Sequence, residues 1–253
     1  DADADNTTMV YTSSDYTVYA LGTVSLDTQA VNDEIATLPG GGSVVKALSD
    51  GRVYNLNQMG VDVLRVYEAG SWAAPVMEVS VGDGSANPHD VVRCGDELYV
   101  ALYGTSFIHV YNPDTGLVVG AVDMSAFTVS DGVNEVDALF CRGQSVFAVA
   151  QNLGLDWTSA GGMVLEIDTA SKAVVNSHAV RANPRAHAHP TDESKLLLFS
   201  GHYGDGDGGL TEVDLSTGVE SEVLLQDADV GITFGGMAAT ERTLAIMGST
   251  YDY

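Results

Sequence analysis

The sequence is poor in cationic residues, in cysteine and in long apolar runs. Ten lysines and arginines stand against 35 aspartates and glutamates, and the formal net charge is -25. Such a chain repels nucleic acid and anionic lipid, which makes both poor partners, and it attracts cations and basic surfaces. No apolar stretch approaches the roughly 18 residues that a membrane-spanning helix needs. The sequence therefore predicts no transmembrane segment.

Motifs that carry catalysis are also missing. The chain has no G-x-S-x-G nucleophile elbow, no G-x-x-x-x-G-K-[ST] phosphate loop and no H-E-x-x-H zinc motif. It has neither a C-x-x-C pair nor a Cys/His cluster, which argues against structural zinc. These absences favour a protein without catalytic activity, and an enzyme stays the open alternative.

What the sequence does contain is a repeat of short strand-like segments, about 45 residues long. Residues 87–102 and 107–116 form one unit, and residues 134–141, 145–150 and 163–169 repeat the same order. β-branched and aromatic residues fill the segments, and Gly, Asp and Asn bound them, as in strands. Four short strands per unit are typical of blades arranged around a central channel.

The repeat predicts an all-β fold: a single β-propeller over residues 1–253, with six blades of four antiparallel strands. Five and seven blades are the alternatives. The first unit lacks its innermost strand and the last unit shows only two strands. We therefore expect one blade to be shared by the termini or to be incomplete.

Residues 1–8 are polar, with neither a basic nor an apolar region. They are interpreted as a flexible stub left after removal of an export signal. This interpretation predicts a secreted, cell-surface or periplasmic protein.

Residues 87–92, 98–104 and 110–116 form a recognisable pattern, and residues 165–169 and 212–218 repeat its third-strand part. The pattern resembles the YVTN/YncE-like family of bacterial and archaeal surface or periplasmic β-propellers. The resemblance implies the propeller fold but no catalytic residue, because such propellers host many activities. Where the family has a Tyr-Val-Thr-Asn run, residues 99–102 read YVAL and residues 147–150 read FAVA.

The two cysteines, Cys94 and Cys141, lie at equivalent places in neighbouring repeats. In an exported protein, two cysteines favour a disulfide. Equivalent residues of adjacent blades, however, are expected to lie further apart than the roughly 7 Å between Cα atoms that a disulfide tolerates. A disulfide and two small buried thiols both remain open.

Loops that enter the innermost strands of a propeller meet at one mouth of its channel. Alignment of the units puts Asp90 and Asp137 in one repeat position, and His89 and Arg185 in the preceding one. Converging oxygen ligands of this kind could hold a calcium ion or a water cluster. The alternative is that the Asn and Asp side chains cap backbone groups where strands begin.

Three histidines suggest a second kind of metal site. His187 and His189 alternate, so both imidazoles are expected on one side of a strand. Together with His202 on the next hairpin they could bind copper, zinc or iron. The alternative is that they are surface or hydrogen-bonded core residues.

Two loops are candidates for recognition. Residues 202–209 alternate Asp and Gly like part of a calcium loop, but the closing Glu of that motif is missing. Residues 151–162 contain Trp157, which suits a protein or glycan contact if exposed and covers the blade if tucked in. The predicted binding residues are Trp157, Asp156, Tyr203 and Arg185.

The sequence thus favours an exported, non-catalytic β-propeller that binds a protein, a glycan or a neighbouring subunit in a homo-oligomer. The alternative is a metal-binding protein or metal-dependent enzyme. It would use the six metal candidates His89, Asp90, Asp137, His187, His189 and His202.

Overall fold

The computed structural model describes residues 7–15, 17–129, 131–159, 161–201 and 208–249. These residues form 21 strands, a 3₁₀ turn at Ser125–Phe127 and a four-residue helix, α1 (Asp227–Val230). The all-β prediction is confirmed. None of the described helices is long and apolar enough to cross a membrane.

The strands form six antiparallel sheets, each made of strands consecutive in the chain. The first sheet contains β1 (Thr8–Ser14), β2 (Tyr19–Ser25) and β3 (Val31–Leu38). The second contains β4 (Ser43–Ala47), β5 (Arg52–Asn57), β6 (Val63–Glu68) and β7 (Met77–Ser80). The third contains β8 (Pro88–Cys94), β9 (Glu97–Leu102), β10 (Phe107–Tyr111) and β11 (Val118–Asp123).

The fourth sheet contains β12 (Val136–Arg142), β13 (Ser145–Ala150), β14 (Gly162–Asp168) and β15 (Ala173–Val180). The fifth contains β16 (Arg185–Ala188), β17 (Lys195–Ser200), β18 (Gly209–Asp214) and β19 (Leu225–Gln226). The sixth contains β20 (Thr233–Ala239) and β21 (Leu244–Ser249).

The second strand of each four-stranded sheet is its most buried element. In β5, β9, β13 and β17 every residue after the first is buried. The sequences of β9, β13 and β17 are nearly continuous apolar runs because both faces of these strands are covered, whereas β5 also buries Asn55 and Asn57. The outer strands β7, β11 and β15 are largely exposed. The burial of a strand therefore depends on its position within the sheet: second strands are buried and outer strands are exposed.

A side chain caps the turn between β18 and β19. Asp214 Oδ1 accepts hydrogen bonds from the amides of Ser216 and Thr217, at 3.0 and 2.9 Å, and from both hydroxyls. The Ser216 hydroxyl and the other donors lower the pKa of Asp214 to about 2. Gly218 then takes the left-handed conformation, with φ +69°. In the fourth sheet Lys172 takes that conformation in place of glycine, with φ +53°.

The chain divides into two compact units. One comprises Asp1–Gly104 with His109–Gly120, and the other Thr105–Ile108 with Ala121–Tyr253. In the first unit one core cluster includes Tyr54, Leu98 and Tyr111. In the second unit another cluster includes Val149, Leu196 and Val213. Each unit thus has a hydrophobic core of its own.

The terminal sheets differ from the shared blade that the sequence suggested. Over the described residues, β1–β3 form a three-stranded sheet and β20–β21 a separate two-stranded sheet. β1 already begins at Thr8, the last residue of the predicted stub. The alternative of incomplete terminal blades is therefore the one that the described residues adopt.

Both cysteines are oxidised. Cys94 ends β8 and Cys141 lies in β12, and each is disulfide-bonded. The described residues contain no free thiol. Of the two alternatives that the sequence left open, the oxidised state is the one that the structure has.

Oxidised cysteines predict a simple chemical result. The protein denatured without a reductant is expected to show no thiol reactive with Ellman's reagent, and two after reduction, because the chain has two cysteines. A non-reduced peptide digest analysed by mass spectrometry identifies the linked peptides. Two reactive thiols in the unreduced, denatured sample would contradict this assignment.

Candidate functional site

The connection between β13 and β14 carries a small hairpin of its own. Leu153 and Ser159 form an isolated β-bridge that closes it. Inside, the Gly154 amide donates to the Thr158 carbonyl at 2.7 Å, and the Trp157 amide donates to the Gly154 carbonyl at 2.8 Å. We call residues 153–159 the Trp157 hairpin. Both of these backbone hydrogen bonds lie within the hairpin.

The hairpin presents two apolar side chains to solvent. Leu155 is 85% exposed and Trp157 is 72% exposed, whereas Leu153 and Ser159 at the base are buried. The alternative of a tucked Trp157 is therefore excluded. Trp157 also adopts a left-handed backbone, with φ +63°, which costs a side chain of this size about 1 kcal/mol or more. An exposed, strained tryptophan is typical of recognition sites.

Asp156, the second predicted binding residue, stabilises the turn. Its Oδ1 accepts from the Thr158 hydroxyl at 2.8 Å and from the Thr158 amide at 3.2 Å. These hydrogen bonds, with that of the hydroxyl the largest, lower the pKa of Asp156. The carboxylate therefore stays ionised beside the two exposed apolar side chains.

The base of the hairpin is held by a buried carboxylate that the sequence did not single out. Glu135 precedes β12, and its Oε2 accepts from the Leu153 amide at 2.9 Å. Its backbone carbonyl also accepts from the Gln151 amide, at 3.1 Å. Ser159 Oγ donates to the Gln151 carbonyl at 2.7 Å. Glu135 therefore ties the start of β12 to the segment that leads into the hairpin.

Glu135 has an unusual ionisation equilibrium. It is 6% exposed, and burial raises its pKa from 4.5 to about 7. The Leu153 amide opposes this rise, and the charge of Asp131 adds to it. The carboxyl group at the hairpin base thus titrates close to neutral pH.

The other two predicted binding residues lie elsewhere. Arg185 begins β16 opposite Phe199 and lines a cavity of about 20 Å³ with Asn183, Ser200 and Phe234. That volume holds about one water molecule, so it suits no larger ligand. Tyr203 lies outside the described residues, as does most of the Asp-Gly loop at 202–209.

The predicted metal residues of the first unit already have side-chain partners. Both carboxylate oxygens of Asp90 accept from Lys46 Nζ, at 2.8 and 2.9 Å. The His89 ring stacks on Tyr103, with centroids 4.0 Å apart and planes 22° apart. An ion pair and a ring stack are the roles that the structure gives these residues.

In the second unit, His189 belongs to a charged group. Its Nε2 lies 3.4 Å from Glu212 Oε1, and Lys195 Nζ lies 2.9 Å from Glu212 Oε2. His187 Nδ1 lies 2.8 Å from the Ala188 carbonyl oxygen. Over the part of the chain that the structure describes, no three His, Cys, Asp or Glu residues are arranged to hold a metal ion. His202 lies outside that part, so the three-histidine site stays a prediction.

The strand registers correct the predicted pairing of Asp90 with Asp137. Asp90 pairs with Ala101 after a bulge at residue 89, and Ala138 pairs with Val149 after a bulge at Asp137. Asp137 therefore corresponds to His89. The alignment from Asn87 and Asn134 was one residue out, because the left-handed residue before the strand is Asn87 in one sheet and Glu135 in the other.

Comparison with known proteins bears on the fold. No family model matches the chain, and no curated protein sequence does. Among solved structures, the chain is similar to Kuenenia stuttgartiensis hydrazine synthase, with a TM-score of 0.69, 18% identity, and coverage of 92% of this chain and 68% of that one. It is also similar to the dihydro-heme d1 dehydrogenase NirN in complex with DHE, with a TM-score of 0.57, 18% identity, and coverage of 88% and 44%.

A third similar structure is that of the mitotic checkpoint complex, with a TM-score of 0.63, 13% identity, and coverage of 93% of this chain and 70% of that one. The fold is a six-bladed β-propeller. Enzymes and a protein assembly both occur among these neighbours, and their identities are low. The propeller's function therefore has to be argued from its own surface.

Proposed function

We propose that this protein is a non-catalytic binding propeller that contacts a partner protein through the Trp157 hairpin. The supporting observation is the joint exposure of Leu155 and Trp157 on a hairpin whose base is buried. Burial of each side chain under a partner contributes about 2 kcal/mol to the free energy of binding. Tryptophan is also enriched at the energetic centres of protein interfaces.

The partner proposed for this surface is a protein with an apolar patch surrounded by basic groups. The Leu155 side chain cannot form hydrogen bonds with a polar sugar, whereas an exposed leucine and tryptophan in one hairpin suit an apolar patch. Asp156 and the net charge of -25 attract basic groups and repel acidic ones. A glycan stacked on Trp157 alone and a neighbouring copy of this chain are the competing occupants.

An exported, oxidising location is part of the same proposal. The oxidised state of Cys94 and Cys141 supports it, because structural disulfides persist outside the reducing cytoplasm. The resemblance to the YVTN/YncE-like family supports it too, since that family works at the cell surface or in the periplasm.

A paired-variant capture experiment tests the hairpin. The native protein and the Leu155→Ala/Trp157→Ala variant are immobilised and exposed to cell-envelope proteins, and captured chains are measured by quantitative mass spectrometry. We expect the affinity of the double variant for the partner to be about 100-fold lower, because two exposed apolar side chains are removed. The matched control is Leu224→Ala/Val175→Ala, which removes two apolar side chains that are 55% and 58% exposed elsewhere.

The outcomes separate the occupants. A partner that the control retains and the hairpin variant loses supports the proposal. If the protein binds a glycan array, and Trp157→Ala abolishes this binding while Leu155→Ala leaves it intact, the partner is a sugar and not a protein. A dimer in light scattering that dissociates in the double variant would replace it with a second copy. A partner retained by the double variant would contradict the hairpin's role.

A further inference from the structure

The first unit contains a cleft between its first two sheets. Its volume is about 820 Å³, within the range of roughly 300–1,000 Å³ typical of small-molecule sites. β1 and β2 form one wall, and β4, β5 and the turn after β6 form the other. The Trp157 hairpin is not part of it.

The cleft has an apolar lining with one aromatic platform. Apolar side chains from both walls line it, among them Met9, Val10 and Leu48. Trp72 is partly exposed into it, and its ring packs on buried Tyr67 with centroids 6.2 Å apart. The tryptophan is thus held against Tyr67 and the hydrophobic cluster to which Tyr67 belongs, while part of its surface remains exposed. Thr23 and Ser49 add hydroxyl groups to the same lining.

The charge of the cleft is balanced. Arg52 is its one cationic lining residue, and none of the described residues lining it is an Asp or a Glu. Arg52 Nε donates to Glu68 Oε1 at 3.0 Å, and its Nη1 donates to Asp114 Oδ1 at 3.3 Å. The guanidinium is therefore already paired with two carboxylates. A cationic ligand would find no carboxylate in the lining to pair with. An anionic ligand would find an arginine that is already paired, in a protein of net charge -25.

We infer that this cleft binds an uncharged, largely apolar small molecule that contains a ring, with the ring stacked on Trp72. Size, lining and charge balance point to the same ligand class. Thr23 and Ser49 supply the few polar contacts that orient such a ligand. Their hydroxyls both donate and accept hydrogen bonds, so they suit a hydroxyl or carbonyl substituent on the ring.

The test uses the neutral fluorescent probe N-phenyl-1-naphthylamine. The chain has two tryptophans, so Trp157→Phe leaves Trp72 as the only one. In this variant we expect saturable binding of one probe per chain and quenching of Trp72 emission by energy transfer. The anionic probe 1-anilinonaphthalene-8-sulfonate is expected to bind at least about tenfold more weakly at low salt.

Two variants examine the cleft itself. Trp72→Ala is expected to weaken probe binding about tenfold or more by removing the platform. Ala47→Phe narrows the cleft at an exposed position and is expected to do the same while Trp72 remains. Circular dichroism spectra and thermal melts establish that both variants fold.

The proposal is overturned if the Trp157→Phe protein shows no saturable quenching. It is also overturned if folded Trp72→Ala and Ala47→Phe bind the probe like the parent, or if the anionic probe binds equally well. A dimer in light scattering that dissociates on Trp72→Ala would assign the cleft to a second copy of the chain instead. None of these results depends on the Trp157 hairpin.

Discussion

Replacement of Asp62 by alanine is expected to lower the free energy of unfolding by about 4 kcal/mol. Asp62 is fully buried. Its Oδ2 accepts from the amides of Gly84 and Ala86 at 2.8 and 2.7 Å, and its Oδ1 accepts from the Asn87 amide at 3.0 Å. The carboxylate thereby organises the connection from β7 to β8. Alanine would leave three amides without an acceptor, that of buried Ala86 and those of half-buried Gly84 and Asn87, and an unpaired buried amide costs about 1–3 kcal/mol.

Urea unfolding followed by circular dichroism measures this loss. Asp62→Asn keeps one carbonyl oxygen, so its loss is expected to be about half as large. The matched control is Asp83→Ala on the same connection, because Asp83 is exposed and its Oδ1 binds only Ser85, through the amide and the hydroxyl. That change is expected to alter stability little. Equal losses for Asp62→Ala and Asp83→Ala would contradict the role assigned to Asp62.

The stability of the protein is expected to fall between about pH 4.5 and pH 7 through Glu135. The pKa of this carboxyl is 4.5 as a model value and about 7 in the folded chain, so the folded state holds the proton more tightly than the unfolded state. The stabilisation is complete below the lower value and is lost as pH rises through the higher one. A shift of this size corresponds to about 1–3 kcal/mol after solvent screening.

Glu135→Gln isolates this contribution from the other carboxyl groups. Glutamine keeps an oxygen for the Leu153 amide but does not titrate. The difference in unfolding free energy between native protein and variant is therefore expected to fall by about 1–3 kcal/mol from pH 4 to pH 8. Glu222→Gln, at an exposed position, controls for loss of one charge. Parallel pH profiles for native protein and Glu135→Gln would show that Glu135 is not held protonated.

Much of the fold could be predicted because its determinants are local. The buried runs of β9 and β13 follow from apolar and β-branched residues bounded by turn residues. The turn after β18 follows from Ser216, Thr217 and Gly218, residues that favour turns, although its capping acceptor is Asp214. Such signals act over a few residues, so the repeat reveals them without knowledge of the remaining chain.

The candidate site was predicted less well because its determinants are distant in sequence. Asp90 was expected beside Asp137, but its partner is Lys46, 44 residues away. The residue with left-handed backbone before the strand is Asn87 in the third sheet and Glu135 in the fourth. The two aspartates therefore occupy different repeat positions. The sequence did not single out Glu135, because a lone glutamate is unusual only when it is buried, and its burial follows from the tertiary structure.

The sequence by itself determined the all-β class and favoured six repeating sheets. These follow from patterns that recur along the chain and concern neighbouring residues. Only the tertiary structure decided that Trp157 is exposed, that Asp62 and Glu135 are buried acceptors, and that a cleft opens beside Trp72. Exposure, burial and cavity shape depend on which distant segments pack together, and pairing across tens of residues leaves no periodic trace in the sequence.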